Sequence, residues 1–165
     1  MAGLKLEIVQ EHPFASLEEE ALLGLLRTSD SLNRALQLKI REWGVSSTQY
    51  NVLRILRGAQ PEGLTCSDIR SRMITAEPDI TRLLARLKAL KLIRQQRDIH
   101  DRRVLWTRIS APGLKLLREM DPVILRAPRE LLAGLDQNEL TQLIHLLELA
   151  RGRSQEVRLP LTKRA

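Results

Sequence analysis

Leucine-rich segments with a helical period alternate along the chain with short capping sequences. Before four of these segments stands a Ser, Thr or Asp, followed three residues later by an acid or an amide, which is the signature of a helix N-terminus. These pairs are Ser16 with Glu19, Ser46 with Gln49, Thr65 with Asp68, and Asp136 with Glu139. Gly44 is expected to end the first helix just after Trp43. The pattern predicts a mainly α-helical chain.

A further helix is predicted to begin around Thr75 to Pro78 and to continue to about Leu90. Its apolar side follows the helical period and consists of Ile80, Leu83, Leu84, Leu87 and Leu90. This spacing places on the opposite side Thr81, Arg82, Ala85, Arg86 and Ala89. A slim basic face of this kind can enter the major groove of DNA, because small side chains let the backbone approach the base edges.

Two short β-like segments follow, from Leu92 to Arg97 and from Val104 to Ile109, and a charged turn around His100 joins them. We predict a β wing of two to three strands. A short helix, a turn, a basic helix and a basic wing in this order are typical of a winged helix-turn-helix.

The C-terminal part is predicted to contain two more helical segments. The first is leucine-rich and runs to about Leu135, but Pro122 and Pro128 predict a bend or break in it, because an internal proline removes a helical hydrogen bond. The second follows Asp136. We expect residues 152–165 to form a mobile basic tail, since they show no apolar pattern.

Positive charge is concentrated in one part of the chain. Residues 65–108 contain 11 Lys and Arg against 5 Asp and Glu, so they hold +6 of the net charge of +7, and the rest is nearly neutral with 16 basic and 15 acidic residues. A positive field confined to one patch indicates a surface that meets phosphates.

The composition argues against several other classes of protein. No apolar segment approaches the roughly 20 residues that span a bilayer, and the first residues lack a signal-peptide core, so we expect a cytoplasmic protein that does not bind a membrane. The single cysteine, Cys66, agrees with a reducing compartment. The histidines, His12, His100 and His145, show no metal-ligand spacing, and no catalytic motif is present, so we expect no metal, no cofactor and no enzymatic activity.

Five strings follow one another in a characteristic order: STQYNVLRIL (Ser47 to Leu56), LTCSDI (Leu64 to Ile69), ITRLLARL (Ile80 to Leu87), LIRQQRDIHDRR (Leu92 to Arg103) and ISAPGLKLL (Ile109 to Leu117). Over roughly residues 18–150 this order resembles the multiple antibiotic resistance regulator (MarR) family of winged-helix transcription factors. The resemblance implies a homodimer that binds double-stranded DNA and regulates transcription, with repression as the expected mode and a small aromatic or apolar molecule as the expected effector.

The resemblance also implies which residues bind DNA. The wing aspartate and the wing-tip arginine of the family correspond to Asp101 and Arg103, beside Asp98 and Arg102. Such an arginine typically enters the minor groove, whose negative potential attracts a guanidinium, while the aspartate orients a basic group. The recognition-helix face of the family corresponds to Glu77, Pro78, Asp79, Thr81, Arg82 and Arg86. Acids in a first helical turn also complement the helix dipole, which gives Glu77 and Asp79 a structural explanation as well.

Three residues depart from the family pattern. Ala76 replaces a serine, which removes an expected phosphate contact, and Lys91 replaces a glycine at a position that commonly needs a left-handed backbone. His100 stands where the wing usually has an arginine. Because this exchange removes a fixed charge, it predicts DNA binding that is sensitive to mildly acidic pH.

Two residue assignments have alternative explanations. Trp43 and Tyr50, near the junction of the first two helices, either line a cleft for an apolar or aromatic acid ligand or pack in the core. Cys66 follows a helix cap, so a thiol-based redox switch is an alternative to ligand control. A winged helix that binds another protein instead of DNA is the other alternative.

The predicted organisation has five parts. Residues 1–17 form an N-terminal arm, 18–45 a dimerisation helix, 46–110 the winged helix-turn-helix, 111–151 the C-terminal dimerisation helices, and 152–165 the tail.

Overall fold

A computed structural model of the protein describes residues 3–156, of which residues 153–156 are described as backbone only. The helices are α1 (Leu4–Glu7), α2 (Leu17–Ile40), α3 (Ser47–Gly58), α4 (Cys66–Arg72), α5 (Ile80–Ala89), α6 (Ala111–Leu131) and α7 (Gln137–Glu156), and a single 3₁₀ turn covers Arg41–Trp43. The strands β1 (Ile93–Arg97) and β2 (Leu105–Ile109) form an antiparallel pair. The mainly α, winged-helix fold class predicted from the sequence is confirmed.

The helix starts predicted from capping pairs are all present. The Ser16 hydroxyl accepts the Glu19 amide, and complete capping boxes join Ser46 to Gln49 and Thr65 to Asp68. At the last helix the Asp136 carboxylate accepts the Glu139 amide at 2.8 Å, and the Glu139 side chain accepts the Asp136 amide. Three of the four pairs bond reciprocally through the amides of both residues, whereas at Ser16 the Glu19 side chain accepts the Ala15 amide instead.

The first long helix ends slightly earlier than predicted. The α-helix stops at Ile40, and the 3₁₀ turn continues the chain to Trp43. Gly44 then adopts a left-handed conformation with φ of 69°, as expected for a residue that ends a helix.

The core lies where α3, α4, α5 and the wing meet. Four apolar residues of α5 are buried against it, together with Leu53 and Leu56 of α3 and Ile69 of α4. Leu64 forms a bridge to Thr107 of β2 through two backbone hydrogen bonds of 2.8 and 2.9 Å, which adds a short third strand position to the wing. The wing is therefore fixed to the helical core along one edge.

An ion pair connects α3 to α6. Arg57 Nη1 lies 3.1 and 2.8 Å from the two carboxylate oxygens of Asp121, and both side chains are about one-third exposed. A partly buried pair of this kind holds its two helices more firmly than a fully exposed one, since it is less screened by solvent.

The predicted break in the long C-terminal segment was wrong. The helix α6 runs without interruption from Ala111 through Pro122 and Pro128 to Leu131. Both prolines are exposed, so the carbonyl groups that lose an amide partner can bond to water instead of being left unsatisfied.

The last helix extends further than predicted. The helix α7 ends at Glu156, so residues 152–156, assigned from the sequence to the tail, continue the helical backbone, and the mobility of the tail stays a prediction. Residues 157–165 lie outside the described residues.

The described residues divide into two compact units, residues 3–127 and residues 128–156. The first contains the winged helix-turn-helix and most of α6, and the second contains α7. No helix within residues 3–156 is both long and apolar enough to cross a membrane.

The first turn of α6 is packed closely against the wing. Gly113 is buried, its amide donates to the Ser110 hydroxyl at 3.1 Å, and a Cβ atom at this position would overlap the carbonyl oxygen of Leu92 and lie 2.8 Å from Ile109 Cγ1. The close approach of helix and strand therefore requires glycine here.

We expect Gly113→Ala to lower the free energy of unfolding by about 1–3 kcal/mol, because the backbone must shift to make room for the methyl group. Gly58→Ala is the matched control, since nothing lies within 4 Å of its added Cβ and its stability should stay equal or rise slightly. Urea unfolding of both variants measures the difference. Equal stability of the two variants would show that the first turn of α6 is not closely packed.

Candidate nucleic-acid interface

The recognition helix α5 presents a basic face because its other side is buried. Its four core residues are Ile80, Leu83, Leu84 and Leu87, and each is at most 7% exposed. The residues predicted to face outward are all exposed, and they are Thr81, Arg82, Ala85, Arg86 and Ala89. Leu90, predicted to face the core, is half exposed at the end of the helix. The slim basic face inferred from the sequence is therefore present.

The start of the recognition helix was predicted too early. Glu77, Pro78 and Asp79 precede the helix, which begins at Ile80. Asp79 is the N-cap residue, and its carboxylate accepts the Arg82 amide at 2.9 Å. A residue before proline is disfavoured in helical conformation, which keeps Glu77 outside, and a capping residue has non-helical backbone angles. The three residues belong to the turn before the helix instead of to its face.

This turn is held by a residue that the sequence analysis did not identify. The side-chain oxygen of Asn51 on α3 accepts the backbone amide of Ile74, at 3.1 Å. The bond ties the segment between α4 and α5 to the core, so it helps to fix where the recognition helix begins. A polar residue in the middle of α3 was the available signal, but its partner lies 23 positions away.

The wing loop, which we define as residues 98–104, connects the ends of β1 and β2. Its first residue, Asp98, accepts three hydrogen bonds: Oδ1 from the amides of His100 at 2.8 Å and Asp101 at 3.0 Å, and Oδ2 from the indole N–H of Trp106 at 2.8 Å. The Asp101 amide above all, then the Trp106 indole and the His100 amide, lower the pKa of Asp98 from 3.8 to about 2. Asp98 is thus an ionised organiser of the loop.

The two arginines at the wing tip are exposed and their backbone is fixed. Asp101 Oδ1 accepts the amide of Arg103 at 2.9 Å, and Arg97 Nη1 donates to the carbonyl oxygen of Arg102 at 2.6 Å. The side chains of Arg102 and Arg103 are exposed to solvent. Asp101 therefore holds the backbone at Arg103, and its predicted role in orienting a basic side chain stays a prediction.

His100 belongs to this loop and is exposed. The charged groups of the same loop are the carboxylates of Asp98 and Asp101 and the guanidinium groups of Arg102 and Arg103. Protonation of an imidazole in this position adds a positive charge to a surface that already contains two arginines.

Further basic residues accompany those named from the family motif. Lys88 on the recognition helix and Arg94 and Arg97 on β1 are exposed. These three residues contribute to the positive charge of residues 65–108, but they are not among the site residues predicted from the sequence. Their position beside the recognition face and the wing loop was the signal that could have identified them.

Lys91 links the recognition helix to the wing. It adopts the left-handed conformation with φ of 60° that the sequence analysis associated with this position, although it is not a glycine. Its carbonyl oxygen accepts the hydroxyl of Ser110 at 2.7 Å, which stabilises the turn.

The residues with ligand or redox interpretations lie elsewhere. Tyr50 is 5% exposed in the core, where burial raises the pKa of its hydroxyl, and Trp43 is half-buried against the same core. The guanidinium of Arg54 lies 5.9 Å from the centre of the Tyr50 ring. These positions agree with core packing, and a ligand-binding role for the pair stays a prediction. Cys66 is half-buried in the first turn of α4, and its redox role is likewise a prediction.

Among residues 3–156, no group of three or more His, Cys, Asp or Glu side chains could hold a metal ion. The exposed basic residues of α5 and the wing offer guanidinium, ammonium and imidazole donors. Such donors recognise phosphates and the acceptor edges of bases.

Comparison with known proteins agrees with this geometry. A sequence model of the MarR family matches residues 43–104. The crystal structure of a MarR transcription factor from Planctomyces limnophilus is 37% identical, covers 83% of this chain and 99% of its own, and has a TM-score of 0.64.

Two more distant relatives have regulatory names. The homoprotocatechuate degradative operon repressor of Escherichia coli is 23% identical over 87% of this chain and 97% of its own length. The Bordetella bronchiseptica protein BpsR, whose DNA binding is regulated by 6-hydroxynicotinic acid, is 24% identical with a TM-score of 0.73, over 85% of this chain and 98% of its own. Its likeness concerns the fold alone.

The first of these relatives is named as a transcription factor and the E. coli protein as a repressor. The winged-helix fold, the basic recognition helix and the wing, together with 37% identity across nearly all of a MarR transcription factor, show that this chain belongs to the MarR family of winged-helix transcriptional regulators.

Proposed function

We propose that the protein is a homodimeric repressor that binds double-stranded operator DNA specifically and releases it when a small aromatic or apolar molecule binds. The observation that supports DNA binding most directly is the exposed basic face of α5 next to a hydrogen-bonded wing loop with two exposed arginines. In this arrangement Thr81, Arg82 and Arg86 contact base edges or phosphates in the major groove, and Arg103 enters the minor groove. The predicted winged region, residues 46–110, supplies these contacts.

The proposed dimer is supported by uncovered leucines on α2. Leu22 lies about five helical turns before Ile40, so both point to the same side of the helix. Ile40 is fully buried, whereas Leu22 and Leu26 are 58% and 60% exposed. We propose that a second copy of the chain covers the apolar side of α2 around Leu22 and Leu26. The helix α7 has further exposed apolar residues in Ile144, Leu146 and Leu149. A two-fold dimer would place two recognition helices in successive major grooves of a pseudo-palindrome.

The proposed effector class rests on the relatives' names. DNA binding of BpsR is regulated by 6-hydroxynicotinic acid, and the repressor from E. coli is named after a degradative operon for homoprotocatechuate. By analogy we assign a small aromatic acid to this chain, with Trp43 and Tyr50 as the proposed contacts. An effector that binds one conformation of the dimer more tightly shifts the spacing of the two recognition helices and weakens operator binding.

The first test of DNA binding is Arg103→Ala. We expect it to weaken binding by about 1–3 kcal/mol without lowering stability, because the side chain is exposed. The measurement is fluorescence anisotropy on a duplex that the parent protein has selected from a random-sequence pool. Arg126→Ala, an exposed arginine on α6, is the matched control and should bind like the parent. Unchanged affinity of Arg103→Ala would reject its contact with DNA.

The second test concerns pH. Affinity should be about fivefold higher at pH 6 than at pH 8, the scale of one exposed ion pair, because a positive charge on His100 would add to the basic wing. His100→Gln should bind DNA weakly at both pH values, without the increase at low pH. His100→Arg should bind DNA tightly at both pH values. The same dependence in parent and His100→Gln would assign it to another group.

The third test concerns the dimer. Leu26→Glu should weaken self-association about tenfold or more, because it would bury an unpaired charge between two copies. The control is Ser31→Glu. Ser31 lies on the other side of the same helix, so this variant should remain dimeric. Sedimentation velocity measures both. A dimeric Leu26→Glu protein would place the interface elsewhere.

A further inference from the structure

The indole of Trp106 makes a specific contact with the wing loop. Its Nε1–H donates to Asp98 Oδ2 at 2.8 Å, and Trp106 is half-buried on β2, opposite Gln96 of β1. Trp106 is one of two tryptophans in the chain, the other being Trp43. A phenylalanine could fill the same half-buried position on the strand, but it has no N–H group. The hydrogen bond to Asp98 therefore requires a tryptophan here.

The bond fixes the carboxylate that organises the loop. Because a carboxylate is planar, holding Oδ2 against the indole sets the direction of Oδ1, which accepts the amides of His100 and Asp101. The Asp101 side chain in turn accepts the Arg103 amide. A chain of contacts thus leads from the indole to the backbone of the wing-tip arginine.

Side-chain packing cannot hold this loop. All residues from Ile99 to Arg103 are exposed, and Ile99 itself is 84% exposed. Two backbone bonds close the loop: the Asp98 amide donates to the Val104 carbonyl, and the Val104 amide donates to the Asp101 carbonyl, which encloses Arg102 and Arg103 in a tight turn. The orientation of this turn depends on side-chain hydrogen bonds, because Asp98 accepts the amides of His100 and Asp101 and Arg97 donates to the Arg102 carbonyl.

We propose that Trp106 is a positioning residue for DNA binding, whose indole N–H locks Asp98 and thereby holds Arg102 and Arg103 ready for the minor groove. The inference rests on the proposed function, since it names how the wing of that same site is preorganised. A loop that is ordered before binding loses less conformational freedom when it meets DNA, so its arginines bind more tightly without additional contacts.

The bond itself can be tested without DNA. In a ¹⁵N-resolved spectrum the chain should give two indole signals, which Trp106→Phe assigns by removing one. Asp98→Asn should shift the Trp106 signal and leave that of Trp43 in place, because an asparagine that still accepts the two loop amides turns its own N–H₂ group toward the indole donor. An unmoved Trp106 signal would overturn the proposal, whatever the outcome of DNA binding.

The positioning role is tested by a double-mutant cycle on the selected duplex. Trp106→Phe should weaken binding about five- to tenfold, the scale of one hydrogen bond, with an unchanged salt dependence, because the number of phosphate contacts stays the same. Asp98→Asn should weaken binding by a similar factor or more in the parent. In the Trp106→Phe background it should weaken binding by a clearly smaller factor, since the bond is already absent.

Each result has one meaning. If Trp106→Phe bound DNA like the parent, or if the effects of the two substitutions were independent, Trp106 would be only a packing residue. The proposed DNA binding would not be affected by that result. Arg126→Ala, outside the wing, is again the control and should bind like the parent. If Trp106→Phe did not fold, Asp98→Asn alone must still shift the indole signal and weaken binding. A parent protein that selects no duplex would overturn both this inference and the proposed function.

Discussion

The burial of one side of α5 is the constraint on which the DNA-binding surface depends. Ile80, Leu83, Leu84 and Leu87 pack into the core, and the helical period then leaves Arg82 and Arg86 no orientation except outward. Burial of four such side chains is worth several kcal/mol, far more than repulsion among exposed arginines. The positive patch is therefore held in place by apolar packing, and the wing extends it because β2 is bonded to Leu64 beside the same core.

Local patterns predicted most of the fold. Capping pairs such as Ser46 with Gln49 were reliable because both partners lie within one helical turn and act on amides that every helix start leaves free. The same reasoning failed to anticipate that α6 continues through Pro122 and Pro128, which both lie on its exposed side. It also failed at the start of α5, where Asp79 was a cap and not a member of the first turn. Neither exposure nor cap geometry can be read from the period alone.

The candidate site was predictable in its charge but not in its architecture. The helical period predicted the exposed face of the recognition helix, and the order of the motifs predicted the exposed arginines of the wing. The bonds from Asp98 to Trp106 and from Asn51 to Ile74 could not be predicted, because they join residues whose proximity depends on strand register and helix packing. The location of Tyr50 in the core could not be predicted either, because an aromatic residue near a helix junction gives the same sequence pattern whether it lines a cleft or packs in the core.

The ion pair between Arg57 and Asp121 has a mechanical consequence. Three turns of α6 precede Asp121, and both ends of this stretch are fastened, at Gly113 to the wing and at Asp121 to α3. The beginning of α6 is therefore coupled to α3, which itself packs against α4. A displacement of α6 near Asp121 would be transmitted to both the wing and the helix-turn-helix, because the same stretch of helix contacts both.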